Sequence, residues 1–186
     1  MTCASEKSEI LNRLTRELFQ NAPGDLPEIL VSPLQPDAIC EGYSLLFNHD
    51  GYLVGKPSLY DPEKKMEVPL DRIEDPAGMV VAGVARPFHF LIRNFRIASI
   101  ELPEIGVLIL ANGIALDYEQ SDEWQEPQVE AFCSLLTRLR QLTPEAEITL
   151  EHHLPQAIRD DLVTYVDLSD NKLQDSLDTE MTSNED

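Results

Sequence analysis

At 186 residues, with fourteen Lys and Arg against thirty-four Asp and Glu, the chain carries a formal charge of −20, which repels nucleic-acid phosphates and anionic membrane surfaces and argues against direct binding to either. The length suits one domain, and 42% hydrophobic residues suffice for a core. Three widely spaced cysteines, Cys3, Cys40 and Cys133, form no self-contained disulfide framework; with no secretory leader pattern and no apolar run near the ~18 residues of a spanning helix, a cytoplasmic location is expected.

Ser5 as N-cap, acids in the first turn and Ile10, Leu11, Leu14 and Leu18 at helical spacing predict a first helix ending near Asn21. Prolines at 23, 27, 33 and 36 then predict an extended connection packed by Leu26, Ile29, Leu30 and Val31. Tyr43 to His49, Asp50-Gly51 and Tyr52 to Lys56 read as a hairpin around a type I′ turn. A polar, proline-rich excursion follows over 57–76, with a short strand at most at Met66 to Leu70. Gly78 to Ala85 is short, apolar and punctuated by glycine, which predicts a buried strand, and Pro87 favours a short helix after it.

Residues 96–118 read as an antiparallel meander: a strand over Arg96 to Leu102, a tight loop at Pro103 to Gly106, a central strand over Val107 to Ala111, an Asn112-Gly113 turn, and a strand carrying Ile114, Leu116 and Tyr118 on one face. Pro127 opens a helix whose apolar stripe is Val129, Phe132, Cys133, Leu136 and Leu139. Glu145 to Glu151 is a short strand candidate, and Pro155 starts a last helix that buries Ile158, Leu162, Tyr165 and Val166. Residues 167–186 hold seven acids and one base, a composition expected of a disordered acidic tail. The expected architecture is α+β over 1–166: an antiparallel sheet of five to seven strands, with an N-terminal helix and two C-terminal helices packed against it.

Catalytic patterns are weak. The possible metal ligands His49, His89, His152, His153 and the three cysteines match no zinc spacing. There is no Gly-x-Ser-x-Gly elbow, and Cys133 sits mid-stripe, where a thiol is usually inert core. Gly78 and Gly83 have the gap of a phosphate loop but lack the Lys-Ser/Thr that reaches phosphate and metal. Acid clusters such as Asp71, Glu74 and Asp75, or Asp122, Glu123 and Glu126, are ordinary in a chain this acidic. No catalytic residue, cofactor or metal is therefore assigned.

One stretch differs. Residues 76–100 contain no acid, yet hold Arg86, Phe88, His89, Phe90, Arg93, Phe95 and Arg96. Arginine and aromatic residues are the types enriched where partners dock, and Arg86, Phe88, His89, Phe90, Arg93 and Arg96 are taken as candidate partner-binding residues. The expected function is a non-catalytic interaction protein, an adaptor, chaperone or inhibitor, binding a protein partner, with a basic partner favoured by charge and a homodimer among the options. The alternatives are a small enzyme whose site is assembled from distant residues and an acidic mimic of nucleic acid.

Overall fold

A computed structural model describes residues 3–21, 26–47, 51–150 and 154–182, with side chains described for 5–21, 26–47, 51–150 and 154–169. The first helix, α1 (Cys3–Leu14), runs into a π-helical turn over Thr15–Phe19 that buries Leu18 and Phe19. The proline-rich connection is not merely extended: it contains β1 (Glu28–Ser32), whose Ile29 and Val31 face the core. Its alternating burial is the period-two signature of a strand covered on one face.

Three segments differ from expectation for definable reasons. In place of a hairpin, α2 (Pro36–Phe47) extends through Tyr43 to Phe47, leaving β2 (Tyr52–Leu53) as the only strand of that pair; 48–50, where the turn was expected, lie outside the described residues. Pro36 suits a first helical position, and Ala38, Ile39, Gly42, Tyr43 and Leu46 make a buried stripe that a five-residue window hides. In place of a buried strand at 78–85, α3 (Pro76–Val81) begins at an Asp75 N-cap whose side chain accepts from the Gly78 N–H at 2.9 Å. An Asp-Pro start is a helix signal that the apolar run obscured. In place of a helix after Pro87, β5 (Phe88–Arg93) alternates buried Phe88, Phe90 and Ile92 with His89, Leu91 and Arg93.

β3 (Ser58–Asp61) and β4 (Met66–Pro69) form a separate hairpin, as do β6 (Arg96–Ile97) and β7 (Ile100–Glu101), which replace the single strand expected over 96–102. β8 (Ile105–Leu110) and β9 (Gly113–Tyr118) form the main hairpin. Its loop is Ala111-Asn112, one residue earlier than expected, with Gly113 already paired to Leu110. Then come α4 (Glu126–Gln141), β10 (Glu147–Leu150) and α5 (Gln156–Thr182). The backbone of α5 continues into the segment expected to be a tail, and Asp167 of that segment pairs with Arg140 while Leu168 packs against the core.

The sheet is antiparallel throughout, in the order β10-β1-β9-β8-β5-β2. On its closed face, Gly42 of α2 and Leu139 of α4 meet over Ile114, α3 lies beside α2, and α1 and α5 stack on α4. The fold is α+β, with the N-terminal helix and the two C-terminal helices packed with the sheet. Two aromatic groups fill the closed side. Phe19 stacks on Tyr118 at 4.6 Å, with Trp124 and Phe132 around them; Tyr43 and Phe47 of α2 pack on Phe88 and Phe90.

Candidate functional site

Because strand side chains alternate, every residue buried on the closed face has a neighbour on the other face. Cross-strand register places Thr149, Leu30, Ala115, Leu108 and His89 in one row across five strands. The adjoining row is Glu28, Asp117, Gly106 and Leu91. Leu30, Leu91, Leu108 and Leu110 are only partly buried there. An antiparallel sheet with helices on one side ordinarily turns a polar face to water. Here the middle of that face is leucine, alanine and glycine.

Two glycines keep it flat. A Cβ on Gly113 would lie 2.6 Å from the Val31 carbonyl oxygen of the neighbouring strand, so the close approach of β9 to β1 requires glycine. A Cβ on Gly106 would overlap the Asp117 carboxylate, which lies across this position from β9. From there Asp117 Oδ2 reaches His89 Nε2 on β5 at 2.7 Å, joining two strands that are not neighbours. Both side chains remain partly exposed, 42% for His89 and 21% for Asp117. Arg93 donates to Glu104 on the same side. Hydrogen bonds to Glu104 first, and to Tyr52 second, raise the Arg93 guanidinium above its usual value. A shallow pocket of about 270 Å³ lies beside these pairs, with Leu91, Asp117 and Glu104 in its wall and the exposed Leu26 at its rim.

The six candidate partner-binding residues separate. Phe88 and Phe90 are core residues, 4% and 2% exposed, held against Tyr43 and Phe47, so they cannot form a surface patch in this fold. Phe95 is fully buried as well. His89 and Arg93 project from β5 onto the open side, each with a carboxylate partner. Arg96 pairs with Glu101 across the β6–β7 hairpin, which packs on α4 away from them. Arg86 is exposed and makes no ion pair or side-chain hydrogen bond among the described residues.

Other candidates resolve into structural roles. Cys133 is wholly buried, and burial pushes its thiol up to about 12, the reverse of what a nucleophile needs. Burial, then the nearby Asp75 and Asp37, also raises the Cys40 thiol. The Gly78 N–H is occupied by Asp75 and is not offered to a phosphate. Among the described residues no three His, Cys, Asp or Glu side chains converge on a metal site, and no helix is long and apolar enough to cross a membrane. His49, His152 and His153 lie outside the described residues.

Sequence reasoning missed Leu30, Leu91, Leu108, Leu110 and Asp117. The available signal was the central strand itself, in which Val107, Leu108, Ile109 and Leu110 are apolar at successive positions and so on both faces. No protein-family model, curated protein or solved structure matches the chain.

Proposed function

We propose that this protein is a non-catalytic interaction module, an adaptor, chaperone or inhibitor, whose protein partner covers the open face of the sheet. The observation that carries this is the leucine platform of Leu30, Leu91, Leu108 and Leu110, levelled by Ala115, Gly106 and Gly113. Contiguous apolar surface of this kind on a folded domain marks interaction sites more than it serves stability. Acids surround it: Glu28, Glu104, Asp117 and Glu147, against the Arg93 guanidinium and the His89 imidazole. A second copy would set one chain of −20 against another, whereas a partner with basic residues around an apolar centre complements both features.

The His89–Asp117 pair is the one feature of this face with acid–base chemistry within reach, and it favours the small-enzyme alternative. Its two groups sit in partly exposed positions, however, and the role that best fits them is to hold a carboxylate flat across Gly106. As for a nucleic-acid mimic, the acids here are interleaved with leucines and with the side chains of Arg93 and His89, unlike a phosphate-spaced row.

Leu30→Asp/Leu108→Asp protein tests the proposal. It should keep its circular dichroism spectrum and sediment as wild type does, yet fail to retain a protein that wild type captures from a lysate of the source organism. Identical captured sets from the two forms would overturn it. A wild-type dimer that becomes monomeric in the variant would instead make this face a self-interface.

A further inference from the structure

Among the described residues, the outer edge of β5 is only half covered. β2 pairs Tyr52 with Arg93 and Leu53 with Ile92, and the next bond on that side runs from the Val54 N–H to the Leu91 carbonyl at 2.9 Å. The chain then turns away through Gly55, Lys56 and Pro57, and β3 pairs with β4 instead of with β5. Backbone groups of an antiparallel strand alternate between its two edges. His89, two residues before Leu91, therefore directs its N–H and C=O to this same edge, beyond the two residues that β2 pairs. The gap between β5 and β3 is a slot of about 510 Å³, with Leu59, Tyr60 and Glu67 on one wall and Arg86, Phe88 and His89 on the other.

The walls differ in charge. Glu67 is held by the Ser58 hydroxyl at 2.8 Å. Arg86, in contrast to Arg93 and Arg96, has no carboxylate partner among the described residues, and no acid lies within 76–100 to supply one locally. Tyr60 stands beside the slot at 42% exposure. A half-open strand edge is a template for main-chain pairing, and recognition by strand addition takes affinity from such an edge and specificity from flanking side chains.

We infer that the slot between β3 and β5 receives an extended peptide segment of the partner as an added strand, bonded through its main chain to His89 and through an Asp or Glu side chain to Arg86. The inference rests on the protein being an interaction module. Side chains of an added strand alternate, so one set lies alongside Phe88 and the other continues the open face beyond His89. The leucine platform and the slot then form one surface, with His89 at their junction.

Random linear peptides displayed on phage and selected on the immobilised full chain supply the probe. The tightest binder is resynthesised with a fluorophore and a C-terminal amide, so that the side-chain carboxylate is the one tested. Its single N-methyl variants should lose affinity at alternate positions, the period of a paired strand. Arg86→Glu, and Glu→Gln or Asp→Asn in the peptide, should each weaken binding by about tenfold, the scale of one lost close charge pair. Arg16→Glu protein, which carries the same charge change at an exposed position on the helical side, should bind the free peptide within about twofold of wild type. No binder, no alternation, or indifference to Arg86→Glu would overturn the strand-addition proposal. The interaction-module proposal would survive any of these, provided that partner capture still depends on Leu30 and Leu108, and would fall only if that dependence failed as well.

Discussion

On the closed side of β9, Ile114, Leu116 and Tyr118 lie under helices, whereas on the same strand Ala115 and Asp117 lie on the other face, Ala115 itself covered and Asp117 partly exposed. The contrast extends across the sheet. The closed face is filled by interlocking aromatic rings, Phe19, Tyr118, Trp124 and Phe132, all essentially without exposure. The open face has leucines partly exposed around two glycines, and its polar groups are tied across the surface in pairs. On the closed side the Trp124 indole N–H donates to the Glu119 carbonyl at 3.0 Å. The lesson is that apolar residues on one sheet serve two ends, and the degree of packing distinguishes them.

Substitutions at matched positions should separate the two faces. Phe132→Ala, in the centre of the aromatic group, should cost about 3–5 kcal/mol in urea unfolding, through lost burial and a residual cavity. Leu108→Ala, on the open face, should cost under about 1.5 kcal/mol because its side chain already meets water. Equal losses would mean that something covers Leu108 in the isolated protein.

A second difference should emerge at alkaline pH. Burial raises the Cys133 thiol from 9.0 to about 12. Because the folded value exceeds the unfolded one, the stability contributed is fully present below about pH 9 and is lost as pH rises towards 12, with a slope of up to about 1.4 kcal/mol per pH unit. Tyr118, also raised by burial, adds to the loss above its ordinary value of 10.0. Urea midpoints collected from pH 8 to about pH 10 should therefore fall in wild type and fall less in Cys133→Ala protein; parallel curves would show that Cys133 is not the group responsible.

Smaller effects belong to the open side and the C-terminus. Asp117→Asn breaks a partly exposed pair and should cost less than about 1 kcal/mol, read from the same unfolding curves. Ending the chain after Ser169 keeps the Arg140–Asp167 pair and the Leu168 packing, and should shift the melting temperature by no more than about 2 °C if residues beyond it contribute little burial. A larger drop would place part of α5 beyond Ser169 on the body.

Legibility in the sequence followed the length of the repeating pattern. α4 and the first half of α5 were readable because four or more apolar residues recur at helical spacing, and Val129, Phe132, Leu136, Ile158 and Leu162 are all buried as expected. The β8–β9 hairpin was readable apart from a one-residue offset at Asn112 and a strand start at Ile105, inside the loop expected over Pro103 to Gly106. α2 and α3 were not, because Tyr43 to Phe47 and Gly78 to Ala85 are short apolar windows in which helix and strand look alike. For α2, Pro36 and the stripe from Ala38 to Leu46 could have decided it, and for α3 the Asp75-Pro76 cap. β5 was not legible because Pro87 suits the first position of a helix as well as the start of a strand, and Leu91 interrupts the polar half of the alternation through Phe88, His89, Phe90 and Ile92. That ambiguity also hid the division of the candidate patch, since a strand sends its phenylalanines inward and His89 and Arg93 outward. The open platform needed a further step, which was to combine a strand apolar on both faces with helices on one side alone.

That the open face is the working surface and the helical side is scaffold can be read by photo-crosslinking in the source organism. A benzoylphenylalanine is placed in turn at Leu108 and at the exposed Arg16 on the helical side. Position 108 should give a discrete adduct with a second, different protein, and position 16 none. An adduct from position 16 alone, or from position 108 only to another copy of this chain, would contradict it.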